Sequence, residues 1–489
     1  MLCIVATKIK TNQPKFVQEA YMKKFNRRDF LKTTALVGGA AALAACQPAK
    51  TEAPAPTAPK LDLPFAIAAD AINPLKMPEP VKAEGIFFSG GFGHAYIQYA
   101  ADLFAKVHPG STMSVEGIQG VGEKLRPRFV GGNPPDCIDN SGAGAMDMGA
   151  LMSEGQLLDL APLLKAVSLD TPGKTVEETL FPGSQLSGVM DGKQVSLNIA
   201  YTVGGIWYSK TLFDEKAWKY PTTWDEMLAL CETIKSAGIA PWTYQGKYPS
   251  YMEFGVLQAQ IYKRGGMQPM IDIDNLVDKA WSAPAVYDSI KEIYTLAEKG
   301  YIMAGTEGLN HTESQAEWLK GKAAFIPCGT WLENEMKGTI PENFNMVVGE
   351  VPGNGHGVLA VGGEPFIVPA KAKNTVAGLE FLRCLVSKDS AKYFAVNISA
   401  MMPVTGGTEG VTVSTGMQSA IKVVGDCNGK VFPFFSYGGW YGDLGKESSA
   451  KMGELLTKVI TPDQFVEAVQ KMADKVKADP EVTKFTRTS

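Results

Sequence analysis

From Ile86 onward, short apolar runs ending in glycine or polar residues alternate with stretches of helical periodicity. That alternation narrows the folds open to the chain to layered α/β architectures with parallel strands. Ile86-Phe87-Phe88 reads as a strand closed by Ser89-Gly90-Gly91, and Tyr96, Tyr99, Ala100, Leu103 and Val107 then follow at helical spacing until Pro109-Gly110. Met113 to Ile118 predicts a second strand, Glu123 to Val130 a helix, and Asp136 to Asn140 a third strand with a polar carboxyl end. Gln194 to Tyr208 is strand-rich. Thr222 or Thr223 is placed to cap a helix running through Leu228, Cys231, Ile234 and Lys235 to Gly238. Thr461 to Lys477, with Pro462 in its first turn, predicts an amphipathic helix whose apolar side carries Phe465, Val466, Val469 and Met472. In such sheets ligands gather beyond the carboxyl ends of strands, which singles out Ser89 to His94 and Asp139 to Ser141.

Ahead of this pattern stands a different one. Arg27-Arg28-Asp29-Phe30-Leu31-Lys32 precedes an uncharged Gly/Ala-rich run ending Leu43-Ala44-Ala45-Cys46. The paired arginines resemble a twin-arginine export signal, and Leu-Ala-Ala-Cys resembles a bacterial lipobox. Together they imply cleavage before Cys46, lipidation of its thiol, and an exported protein tied to a cell membrane and facing the periplasm or extracellular space. At roughly 13 residues the apolar run is too short to cross ~30 Å of hydrocarbon. Met1 to Tyr21 precede a more usual start at Met22-Lys23-Lys24 and read as an extension from a mis-assigned start codon. Residues 46–82, rich in Pro, Ala, Thr and Lys over Gln47 to Pro64, read as a lipidated cysteine followed by a flexible tether.

Charge excludes one large class of partner. Of 47 basic and 51 acidic residues, the signal takes eight and two, which leaves 39 against 49 and a net charge near −10. That balance repels phosphate backbones, and no basic stripe is interleaved with aromatics, so nucleic acid is not expected as a partner. Cys137, Cys231, Cys328, Cys384 and Cys427 are isolated and read as buried single thiols. His94, His108, His311 and His356 show no H-x-x-x-H spacing, so neither a metal nor a cofactor is expected. Gly120-Val121-Gly122 and Gly142-Ala143-Gly144 fall short of a dinucleotide fingerprint because Leu125 and Asp147 stand at the last position, and no P-loop or nucleophile elbow occurs.

Aromatic and polar groups concentrate instead in short turns. Pro241 to Tyr251 carries Trp242, Tyr244, Tyr248 and Tyr251 beside Gln245 and Lys247, and Gly329-Thr330-Trp331 and Tyr437-Gly438-Gly439-Trp440-Tyr441 are of the same kind. Flat aromatic faces cover the C–H surface of a sugar ring, while carboxylate, amide and phenol groups take its hydroxyls. Core anchoring is the competing role for each aromatic alone, since each buries ~150–250 Å².

At these residues the chain resembles a solute-binding protein of a carbohydrate ABC transporter, in the family that includes the maltose-binding proteins. Pro135-Asp136, Asp191-Gly192-Lys193, Ser209 to Phe213, Thr223-Trp224-Asp225-Glu226-Met227, Leu319 to Ala324, Gly329-Thr330-Trp331, Met402-Pro403-Val404 and Trp440-Tyr441 occur in family order from about residue 83 to the end. Gly90 to Tyr96, Asp139 to Asp147 and Ala237 to Tyr248 resemble the branch that binds N-acetylglucosamine and its chitin-derived disaccharide. The resemblance implies a type II periplasmic-binding-protein fold, two α/β lobes joined by a hinge with a ligand cleft between them. Lobe 1 would be 83–198 plus 354–405 and lobe 2 would be 199–353 plus 406–489. It implies a monomer that carries a mono- or disaccharide to permease subunits without catalysis. Asn140 stands where the maltose-binding family has an aromatic, and Tyr201 or Thr202 where it has an acid; both departures argue against maltodextrin. Trp331, Tyr248 and Trp440, followed by Tyr441, fall at the family's aromatic platforms. Asp139, Asn140, Ser141, Gln245 and Glu364 are the implied hydroxyl and acetamido partners, with Phe92 and His94 from the first strand-end loop. The rival readings are a secreted chitin-active glycoside hydrolase, which needs two essential carboxylates, and an exported redox protein.

Overall fold

A computed structural model of the chain describes residues 61–142 and 144–488. Arg27, Arg28, Cys46 and residues 47–60 lie outside the described residues, whereas 61–82 are not a free tether: Leu63, Phe65 and Ile67 pack against the larger apolar cluster and Ala71 and Met77 are buried. The strands are β1 (Lys82–Phe88), β2 (Thr112–Ile118), β3 (Cys137–Asp139), β4 (Val189–Met190), β5 (Lys193–Gln194), β6 (Leu197–Ser209), β7 (Ala240–Trp242), β8 (Ala323–Gly329), β9 (Met346–Gly349), β10 (Val358–Ile367) and β11 (Val431–Phe432). Nine of them form one sheet in the order β2-β1-β3-β10-β6-β8-β7, with β11 beside β10 and β9 beside β6, while β4 and β5 make a small hairpin.

The expectation of parallel strands holds at both flanks and fails in the middle. β1 runs parallel to β2 and β3, and β7 parallel to β8. β10 is antiparallel to β3 and β6, and β6 is antiparallel to β8 and β9. The long strands β6 and β10 carry the chain back and forth between the two flanks. Helical crossovers impose parallel pairing only where a strand returns within its own flank. β6 pairs with β10 from Leu197 to Gly204 and with β8 from Gly204 to Tyr208. All seven residues of β8 are buried, in keeping with a strand covered on both faces.

Helices form where local chemistry asks for them. The helix Ala95–Val107 buries Tyr96, Ala100, Leu103 and Val107, whereas Tyr99 stays outside, stacked on Tyr393 and donating to Asp389. The helix predicted from Glu123 begins earlier, at Val121–Val130. Of the two candidate caps, Thr223 is the N-cap of Trp224–Ser236, in a capping box with Glu226. Thr461 and Gln464 make the same box for Pro462–Ala478, which buries Phe465, Val466 and Val469, with Met472 half-buried beside them. Asp136 holds the first flank together: its carboxylate accepts from the Glu84 N–H at 2.9 Å and from the Asn374 N–H at 2.7 Å, joining β1 to the helix Thr375–Leu385.

The larger apolar cluster runs from Phe87, Phe104, Phe366 and Phe381 across β6 to Trp207, Trp318 and Leu332. A second joins Trp242, Phe325, Trp281 and Phe465. All five described cysteines are buried and unpaired. Among the described residues no helix is long and apolar enough to cross a membrane.

Candidate functional site

The first half of the site is built at the end of β3. Asp139 closes that strand with its side chain fully buried. The Ser141 hydroxyl donates to Asp139 Oδ1, while Oδ2 meets no N–H or O–H donor among the described residues. On β10, Glu364 sits at φ +55°, a left-handed backbone that turns its carboxyl onto Asp139. Burial and then the Glu364 charge push the Asp139 carboxyl well above the usual carboxylate range, against the bond from Ser141. Burial raises Glu364 too, opposed by hydrogen bonds from Ser141 and Asp139. Both carboxyls are thus shifted toward the protonated form, Asp139 the more strongly. The buried Tyr96 phenol lies in the field of both.

Asn140 is spent on architecture. Its Nδ2 donates to the Met146 carbonyl at 3.0 Å and its Oδ1 accepts the Met146 N–H at 2.8 Å, so the carboxamide closes the loop that follows β3.

The second half stands at the end of β8. Trp331 is half-buried beside Tyr251 (ring centroids 6.1 Å, 81°) and Phe254 (5.9 Å), and Phe254 meets Phe434 edge-on at 5.5 Å. The Trp331 ring folds back over Gly329, where an added Cβ would lie 2.1 Å from it, so only glycine admits this pose. Phe254 is aimed by a π-turn over Glu253–Leu257, a local widening of the helix that recurs at functional sites. Tyr251 was named from sequence only within the Pro241–Tyr251 aromatic cluster, and Phe254 and Phe434 were not singled out. The signal available for the first two was their three-residue spacing, which puts two rings on one helical face.

Between the halves lies Glu335. Its Oε2 accepts from Gln315 Nε2 at 2.5 Å, and His311 Nε2 is 3.8 Å from its Oε1. Its charge reaches Glu364 on one side and Tyr251 on the other. The loop after β1 lies against it, since a Cβ on Gly91 would come within 2.9 Å of Glu335 Cγ. Tyr248, 37 % exposed, packs its ring edge-on to His311 at 5.7 Å. Gln245 is fully buried: Nε2 donates to the Pro327 carbonyl at 2.9 Å and Oε1 has no donor among the described residues.

Other predicted residues lie elsewhere. Phe92 is buried against Phe394 and belongs to the core, because the loop after β1 turns it inward. His94 is exposed, with Nδ1 3.0 Å from Ser89 Oγ. Tyr201, half-buried, meets Phe181 edge-on at 5.3 Å. Trp440 and Tyr441 are buried with Phe485 and line a separate cavity of about 360 Å³ with Asp147, Met472 and Val476. None of the Trp331 group lines that cavity.

What the two halves offer is a set of half-buried aromatic faces beside buried carboxyl and amide oxygens. That suits a neutral, hydroxyl-rich molecule more than a charged one. Comparison with known sequences decides the family: the description Bacterial extracellular solute-binding protein matches residues 92–392. The chain belongs to this solute-binding family. The twin-arginine translocation signal matches residues 24–44, which marks the solute-binding protein for export. It is 33 % identical to the diacetylchitobiose binding protein NgcE of Streptomyces coelicolor, over 85 % of this chain and 89 % of that one. A probable sugar-binding periplasmic protein of Rhizobium meliloti is 26 % identical over 50 % of this chain and 57 % of its own length. Among solved structures, a chitin oligosaccharide binding protein superposes with TM-score 0.62 at 21 % identity, over 78 % of this chain and 94 % of that one. The raffinose-bound solute-binding protein RafE superposes with TM-score 0.63 at 18 % identity, over 81 % and 100 %. These likenesses establish the two-lobed type II α/β fold of the solute-binding family.

Proposed function

We propose that this protein captures N-acetylglucosamine or a chitin-derived disaccharide outside the cytoplasm and delivers it to the permease of an ABC importer. The observation that carries the reading is the 33 % identity, over 85 % of the chain, to a diacetylchitobiose binding protein. The site agrees with that ligand. Trp331, Tyr251 and Phe254 supply ring faces, and Asp139, Ser141, Glu364 and Gln245 supply polar groups for hydroxyl and acetamido atoms. Micromolar affinity corresponds to about −8 kcal/mol, which a few stacked rings and several buried hydrogen bonds provide after ordering costs.

Capture works by closure in this reading. The sugar touches both lobes only in the closed form, so binding shifts the population toward it. The lobes are 83–198 plus 354–405 and 199–353 plus 406–489, turning about β6 and β10. Lipid on Cys46 keeps a monomer beside its transporter, the tether being the residues between Cys46 and the packed segment that starts near Leu63.

Titration calorimetry with N-acetylglucosamine, chitobiose, maltose and xylose tests the proposal. The amino sugars bind and maltose does not; the reverse order overturns the ligand assignment. Chitobiose recovered uncleaved after incubation separates capture from glycoside hydrolysis.

A further inference from the structure

Outside the candidate sugar site, two side chains of one turn and a third remote in sequence converge around the start of β10. Glu350 follows β9, His356 stands in the turn before β10, and Cys427 ends the helix Thr415–Asp426, just ahead of β11. Their ligand atoms all lie within 4.8 Å of one another. His356 Nδ1 is 3.1 Å from Glu350 Oε2. Glu350 Oε1 is already engaged, 2.7 Å from Lys263 Nζ and 2.8 Å from the Gly357 N–H that donates to it, which fixes the carboxylate and leaves Oε2 facing the histidine. The Cys427 thiol lies against the same carboxylate. The backbone around it is pinned, because β11 pairs with β10 through Val358 and Val431.

We propose that Glu350, His356 and Cys427 form a zinc site. One thiolate sulfur, one imidazole nitrogen and one carboxylate oxygen are the donor types Zn²⁺ takes, and three protein ligands leave a fourth position for water. Sequence spacing gave no sign of it, since Glu350 and His356 share the β9–β10 connection but Cys427 comes from a helix end some seventy residues on. The side chain of His356 is 56 % exposed and that of Glu350 is 19 %, so an ion enters from solvent past the imidazole. Cys427 is buried, and burial with the neighbouring Glu350 charge pushes its thiol up to about 12. Binding must therefore displace that proton to solvent as the sulfur–zinc bond forms. Lys263 stays on Oε1 and offsets part of the negative charge of the donor set. The ion would tie the β9–β10 turn to the helix end at Cys427.

The test is equilibrium dialysis of tag-free protein against Zn²⁺ with elemental analysis, alongside thermal melts with zinc and with chelator. One zinc per chain is expected, with a melting temperature that rises with zinc. His356→Ala and Cys427→Ser should each weaken binding at least tenfold and lose the zinc-dependent rise. His356 is exposed, so its variant keeps the fold even if replacing buried Cys427 does not. Absence of bound zinc, or zinc held equally by wild type and His356→Ala, overturns the site.

Discussion

The carboxyls of Asp139 and Glu364 face each other at the junction of β3 and β10, and burial holds both above the usual carboxylate range. A buried acid whose folded pKa is raised binds more protons folded than unfolded. Its stabilisation is complete below the ordinary carboxylate range near ~4 and is lost as pH rises through the folded value. Asp139→Asn keeps the hydrogen-bonded shape without the titration. Its unfolding free energy relative to wild type should therefore improve between pH 5 and pH 8 in urea melts. A difference that stays constant across that range would refute the raised Asp139 pKa.

Trp331 and Trp440 should separate cleanly in two assays. Trp331→Ala removes a half-buried ring from the site and should weaken chitobiose binding at least tenfold, about 1.4 kcal/mol, with a modest change in melting temperature. Trp440→Ala empties a buried position beside Phe485 and should cost about 3–5 kcal/mol of stability. Calorimetry and chemical denaturation on both variants check the contrast, and the opposite pattern would move the stacking platform to Trp440.

Glu253 gives a second pH signature. It is buried in the π-turn behind Phe254, accepting from Tyr437 at 3.0 Å and Ser448 at 3.1 Å, and burial pushes its carboxyl to about 7. The protonated form is favoured in the fold, so about 3 kcal/mol of stability should disappear as pH rises from about 4.5 through about 7. Glu253→Gln should flatten that part of the profile, measured as unfolding midpoint against pH.

The buried ion cluster behind the first flank predicts a sharp asymmetry. Glu380 bonds Arg383 Nε at 2.9 Å and lies 2.8 Å from His108 Nε2, with all three side chains fully buried. Glu380→Ala strands the guanidinium and should cost about 3–5 kcal/mol, whereas replacing Glu380 and Arg383 together by methionine should cost less. Denaturant midpoints for the single and double variants decide the matter.

How far the sequence could be read depended on the range of the interaction. The Thr223–Glu226 and Thr461–Gln464 caps were legible because a capping box spans four residues. Trp331 and Asp139 were legible as strand-end groups, since the turns after β8 and β3 are local too. The Asp139–Glu364 pair was not, because it arises from an antiparallel return of β10 across more than two hundred residues, against an expectation of parallel strands. Phe254 and Phe434 were missed because a π-turn and a distant loop aim them. Trp440 looked like a platform and lies buried because Phe485, close to the chain end, covers it.

β6 belongs to three ladders, with β10 along its first half and with β8 and β9 along its second, and Gly204 is shared by the β10 and β8 ladders. Neither ladder can slip, since a one-residue shift would turn every side chain to the opposite face. Torsion is the deformation left to such a strand. Gly204 and Gly205 have no side chain to resist it, and a Cβ there would strike Leu359 or the Gly349 carbonyl. In the proposed closure the twist falls on β6 and β10 together, a ladder already complete before any sugar arrives.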